Sequence, residues 1–164
     1  SAGNNTYVLE KKYGWEGLLF DIHDPDERHE ERTSQYFKVD ASSMEFLKIL
    51  EREPQKTVDY ISFDVDDSTV PCIENFIKSD VRFKVMTFEH DWARVGHEAR
   101  RISRELLLDA GYYLLFADVT SYKRKYDDLY MPVEDWWVNP QDFNSEILDK
   151  KDDGLPWQEC ILKL

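Results

Sequence analysis

Cysteine is nearly absent: Cys72 and Cys160 are the only two in 164 residues, and they share no local motif. That excludes a disulfide framework and a cysteine-built metal site, and it makes a reducing cytoplasm the expected location. Glycine and proline, six of each, are too few for a collagen-like or low-complexity chain. No apolar run approaches the roughly 20 residues needed to span a bilayer. The first residues show no basic segment followed by an apolar one, so no leader is expected. Positive charge is the last shortage. Against 34 Asp and Glu stand 21 Lys and Arg, a net charge of −13. The resulting field repels phosphate backbones and anionic headgroups, which argues against nucleic acid and membrane surfaces as partners.

What remains is the profile of one folded domain spanning residues 1–164, with 14% aromatic and 41% hydrophobic residues to build its core. Apolar, β-branched or aromatic segments at Gly17–Asp21, Tyr36–Asp40, Val58–Asp64, Phe83–Glu89 and Tyr112–Asp118 predict strands. Helical patterns lie at Asn5–Tyr13, from Ser42 to Pro54, at Ser68–Lys78, and at His97–Ala110 before Gly111. Ser42 and Glu45 have the spacing of a capping box. This alternation predicts an α/β fold of the Rossmann-like type: an open, mainly parallel sheet with helices on both faces. From Ser121 the pattern weakens, and residues 121–164 are expected to trail from the same domain.

The predicted strands end in Asp21, Asp40, Asp64, Glu89 and Asp118. In open α/β sheets ligands bind outside the carboxyl ends of the strands. Acids gathered there repel one another unless hydroxyl donors, cations or water offset the charge, so the rim suits a ligand with ribose hydroxyls and a positive centre. Against this stands the plain reading that each acid starts a loop or caps the next helix, as Asp40 does if it serves Ser42.

Thr6–Ile22 (TYVLEKKYGWEGLLFDI), Val58–Phe76 (VDYISFDVDDSTVPCIENF), Phe83–Asp91 (FKVMTFEHD), Ala110–Val119 (AGYYLLFADV) and Glu134–Pro140 (EDWWVNP) together resemble FkbM-type methyltransferases. The resemblance implies a class I fold dependent on S-adenosylmethionine, and methyl transfer to an oxygen of a sugar or other small-molecule acceptor. It implies cofactor contacts at Asp21 for the ribose, at Asp40 for the adenine edge and at Asp64 beside the transfer zone. Asp66, on the same loop, would meet the acceptor. Glu89 and His90 would face that zone. His90 is the expected general base, because its ordinary pKa of about 6.5 lies near working pH, with Asp64 as its rival. Trp92, Trp136 and Trp137 would enclose the acceptor, or serve only as packing. The chain departs from the family in two places. Its glycines form no glycine-rich loop, so either the family's first strand is missing or the protein no longer uses the cofactor, and Asp66 and Asp67 stand where a Glu-Gly pair is frequent.

Two other functions fit the same residues. The FDVDDSTV segment places Asp64 and Asp66 as nucleophile and acid/base of a haloacid dehalogenase-like phosphatase, with Mg²⁺ on the phosphate. Partner acids could come only from Asp127–Asp128 or Asp152–Asp153. A methyltransferase-like module that binds without catalysis is the third reading. Asp64, Asp66, Glu89 and His90 offer ligands for a hard cation, but a solvated acidic rim without a bound ion is the favoured reading, and no metal is assigned.

Overall fold

The computed structural model of the protein describes residues 6–25, 27–65, 68–90, 92, 96–123 and 130–164. Helix α1 (Tyr7–Tyr13) ends at Gly14, whose φ of 70° is the left-handed conformation that lets the Gly14 and Trp15 N–H groups reach back to Glu10 and Leu9. Then come β1 (Leu18–Asp21), the short helix α2 (Glu27–Glu30) and β2 (Gln35–Lys38), which pairs parallel to β1. Helix α3 (Met44–Arg52) leads to β3 (Thr57–Phe63), and α4 (Thr69–Lys78) to β4 (Arg82–Glu89), parallel to β3. The chain continues through α5 (Glu98–Asp109), β5 (Tyr113–Lys123), β6 (Tyr130–Val138), α6 (Ser145–Leu148), β7 (Asp152–Asp153) and α7 (Trp157–Lys163).

The described residues form two sheets, one of order β1-β2 and one of order β3-β4-β6-β5-β7. The larger one is mixed: β6 lies antiparallel to both β4 and β5, while β3 with β4 and β5 with β7 are parallel. The α/β class holds, but the mainly parallel sheet expected from alternation does not describe this one. The reason is β6. Residues 130–138, expected within a trailing extension, form an interior strand whose inward positions are Val133, Asp135 and Trp137. An aspartate at one of those positions hides the period-2 apolar signal.

Helices cover both faces of the larger sheet. On one side Phe63, Met86, Phe88 and Trp137 meet α3, α4 and α5 through Phe46, Ile73, Phe76 and Leu107. On the other, Phe116, Val119 and Val138 meet α6 and α7 through Ile147, Leu148 and Cys160. Trp136 and Trp137 thus face opposite clusters, as strand alternation requires. Both cysteines are free and buried, and burial pushes their thiols up to about 12 and about 11. Among the described residues no helix is long and apolar enough to cross a membrane.

Several boundaries shift by a residue or two, and β2 ends at Lys38, so Asp40 lies beyond the strand end where it was expected. Helix α3 is capped by Ser43, which accepts from the Phe46 N–H at 3.3 Å, one residue later than the Ser42–Glu45 spacing predicts. Strand β5 does not end at Asp118 but runs on to Lys123, with Asp118 at an irregular register and φ of 53°.

Phe88 has no exposed surface and stands where β3, β4 and β6 meet. Phe88→Ala should lower the unfolding free energy by about 3–5 kcal/mol. Urea denaturation checks this, and a loss well below that range would show that the site collapses around the gap.

Candidate functional site

Two parallel pairs, β1 with β2 and β3 with β4, meet at one cleft. Residues of β1 and β3, Leu18–Asp21 and Val58–Phe63, line it, and its volume is about 730 Å³. In open α/β sheets ligands bind outside the strands' carboxyl ends. Helix α3 carries the chain back between β2 and β3, and α4 reaches the loop after β2, because Asn75 Nδ2 donates to the Ser42 carbonyl at 2.7 Å.

Asp21 and Asp64 both line this cleft. Asp21 is exposed and ionised: burial pushes its carboxyl up, but the His23 N–H and ring more than offset that, and the pKa is lowered. One of its oxygens, Oδ1, takes both His23 contacts at 2.9 Å. Asp64 is exposed and follows directly on β3. Asp40 acts locally, accepting from Ser42 N–H at 2.7 Å and Ser42 Oγ at 2.6 Å, which lowers its pKa and shapes the turn into α3. Ala41, not Asp40, lines the cleft.

Register continues the acid row onto the larger sheet. Phe63 pairs with Phe88, so Asp64 stands one residue on, beside Glu89, and Glu89 pairs with Glu134 of β6. Two strand spacings separate Asp64 from Glu134, about 10 Å. Burial raises the pKa of Glu134, whose Oε1 accepts from Trp136 Nε1 at 2.7 Å. Below these acids the hydroxyls of Tyr60 and Thr87 meet at 2.7 Å, with Ser62 at 3.5 Å from Thr87. Tyr60, Ser62 and Asp64 line the cleft on alternate positions of one strand and its end. Glu134 and the hydroxyl row escaped the sequence reading, although the alternation Tyr60-Ser62-Asp64 beside Thr87-Glu89 was available to find them.

His90 lies elsewhere. It is 1% exposed, and its Nε2 is 3.5 Å from both Asp118 Oδ1 and Asp135 Oδ1. Around it Arg104 grips Asp135 with two bonds of 2.8 and 2.7 Å, Arg100 pairs with Asp118 at 2.6 Å, and the Asp118 N–H donates to Asp135 Oδ1. Burial pushes the Asp135 carboxyl up, but the bonds from Arg104 and His90 more than reverse this, to about 2. His90, Asp118 and Asp135 have the spacing of a metal site. The position between the two carboxylates is already taken by Arg104 Nη2, 2.7 Å from Asp135 and 3.1 Å from Asp118. The protein's own guanidinium does a cation's work there. Asp118 therefore belongs to this interior cluster and not to an open rim.

Of the three tryptophans, Trp92 stacks on His97 at 4.6 Å and lies under Arg100 at 5.5 Å. Trp137 is core, with no exposed surface. Trp136 stands nearest the acid row, through Glu134. Asp66, Asp91 and Asp127–Asp128 lie outside the described residues. Asp152–Asp153 form the opposite edge of the sheet from β3, four strand spacings or about 19 Å from the Asp64 level.

Compared with known proteins, the chain matches no family model, no curated protein and no solved structure.

Asp135→Asn should destabilise the protein by about 3–5 kcal/mol at pH 7, because Arg104 loses its buried partner. A carboxyl held near 2 contributes stability that is full above the ordinary Asp value of about 3.9 and lost as pH falls through about 2. Acid unfolding followed by circular dichroism should therefore be shallower in the variant. Equal slopes for both proteins would contradict the assignment.

Proposed function

We propose that this chain is a class I methyltransferase-like domain that uses S-adenosylmethionine to methylate a hydroxyl oxygen of a sugar or another small molecule. The observation carrying this reading is that Asp21 and Asp64, each at the carboxyl end of its strand, line one cleft. A volume of about 730 Å³ suits a cofactor-sized ligand.

The donor set fits the nucleoside half of that cofactor. Asp21 keeps Oδ2 outside the His23 bonds, as an acceptor for a ribose hydroxyl. Phe20, Ile61 and Phe63 supply apolar wall for a purine. For the amino-acid half the fit is poorer, because among the described residues Gly17 is the one glycine lining the cleft and no glycine loop presents its backbone there.

When bound, S-adenosylmethionine supplies an electrophilic methyl group. The chain's own part is to hold the acceptor and receive its proton. Asp64, exposed at the cleft, would take the proton of an acceptor hydroxyl held there. His90, enclosed by two aspartates, sits away from that position, so the role of base passes to Asp64 in this reading. Tyr60, Ser62 and Thr87 offer hydroxyls to orient a polyhydroxylated acceptor. Glu89, Glu134 and Trp136, one and two strands beyond Asp64, would bound the acceptor on that side.

Calorimetric titration with S-adenosylhomocysteine tests the proposal. Binding is expected, and Asp21→Asn should weaken it roughly tenfold to a hundredfold, the worth of a hydrogen bond to a charged group. No heat at millimolar ligand, or equal affinity in the variant, would overturn it.

A further inference from the structure

At the other end of the larger sheet from the acid row lies a second, smaller cavity of about 180 Å³, lined by Phe76, Ile77, Arg82, Ala110 and Tyr112. Strand β4 opens with Arg82 and closes with Glu89, so at about 3.3 Å per residue roughly 23 Å separate the two places. Among the described residues only Phe76 lines both this cavity and the cleft. Helices α4 and α5 end here, with Ile77 in the last turn of the one and Ala110 capping the other. Phe76 and Tyr112 are buried while Arg82 and Ala110 are exposed, which gives a closed floor and an open, charged mouth.

Two polar groups of this cavity are left over by the fold. Tyr112 is 7% exposed and its ring stacks on Phe83 at 3.9 Å, yet its hydroxyl has no hydrogen-bond partner among the described residues. Phenylalanine would keep that stack, so packing does not account for the oxygen. Burial pushes the hydroxyl's pKa up; the Phe83 backbone, near it without reaching hydrogen-bond geometry, and the Arg82 charge pull it down. Arg82 Nη1 donates to the Ser79 and Val81 carbonyls at 3.0 and 2.9 Å, which holds the guanidinium in place and leaves the N–H donors of Nε and Nη2 outside these bonds. In a chain of net charge −13, Arg82 forms no ion pair among the described residues. We propose that this cavity is a binding site for a small aromatic carboxylate, its ring held against Phe76, Ile77 and Tyr112 and its carboxylate by Arg82 and the Tyr112 hydroxyl. Size, shape and charge select that class. An apolar cavity of about 150 Å³ holds a benzene ring, so about 180 Å³ takes one ring with a carboxylate and no second ring. Nε and Nη2 of a guanidinium form a planar fork that matches a carboxylate. Aromatic walls favour a ring over an aliphatic chain.

The site is independent of methyl transfer and is tested without cofactor, by following the backbone amide shifts of the intact chain as sodium benzoate is added at constant ionic strength. Saturation with a Kd below about 1 mM is expected, with the shifts centred on Ile77, Arg82 and Tyr112. Benzyl alcohol, which keeps the ring without the charge, and acetate, which keeps the charge without the ring, should each bind at least about tenfold more weakly. Arg82→Gln should weaken benzoate binding roughly tenfold, and Tyr112→Phe roughly threefold to tenfold. Tyr112→Phe should leave the thermal midpoint unchanged or raised, because it removes a buried oxygen that has no partner. No saturation by about 10 mM benzoate, equal affinity for either comparator, or unchanged affinity in Arg82→Gln would overturn the proposal. Shifts centred on Asp21 and Asp64 would place benzoate in the cleft and overturn it equally. A lowered midpoint in Tyr112→Phe would show that the hydroxyl serves the fold and remove the ground for the site.

Discussion

A carboxylate with no exposed surface has to find its positive charge inside the protein, and Asp135 finds it in Arg104. Breaking such a pair leaves an uncompensated buried charge, so its two halves are effectively inseparable. The consequence is architectural. Arg104 lies on α5, Asp135 on the interior strand β6, and the same guanidinium reaches Asp118 on β5. One cation thereby fixes a helix against two strands, and the Asp118 N–H bonded to Asp135 fixes the irregular register between them. His90, arriving from the end of β4, closes the cluster.

That interior cluster decides what remains for chemistry. With His90, Asp118 and Asp135 committed to one another and to two arginines, Asp21 and Asp64 are the strand-end acids left exposed at the cleft. A second buried carboxylate works in the same manner at the other end of the chain. Glu10 is 7% exposed and accepts from Arg32, the Thr33 N–H and Ser34. Burial would raise its pKa, but those bonds bring it down to about 2. Glu10 thus ties α1 to the segment leading into β2 and holds one wall of the cleft in place.

Much of the fold was legible in the sequence because strands β1 to β4 are short apolar runs bounded by turn residues, and α3 to α5 carry apolar faces at helical spacing. The acids Asp21 and Asp64 were legible for the same reason: each follows directly on such a run. Asp118 misled, because a bulge lets the strand continue past it with the aspartate turned inward. Glu10, Arg104 and Asp135 could not be found locally, since their partners are 22 to 31 residues away. No spacing rule links such distant charges. Strand β6 was lost to the same cause, a charged residue occupying a core position whose partner lies on another element.

The central claim is that β1 and β3 end at one ligand cleft. Backbone amide shifts recorded by NMR during addition of S-adenosylhomocysteine test it most directly. The account predicts that the amides of Phe20–Ile22 and Phe63–Val65 move together with a single saturation curve, while those of α6 and α7 stay in place. Shifts confined to one of the two strand ends, or centred on α6 and α7, would contradict it.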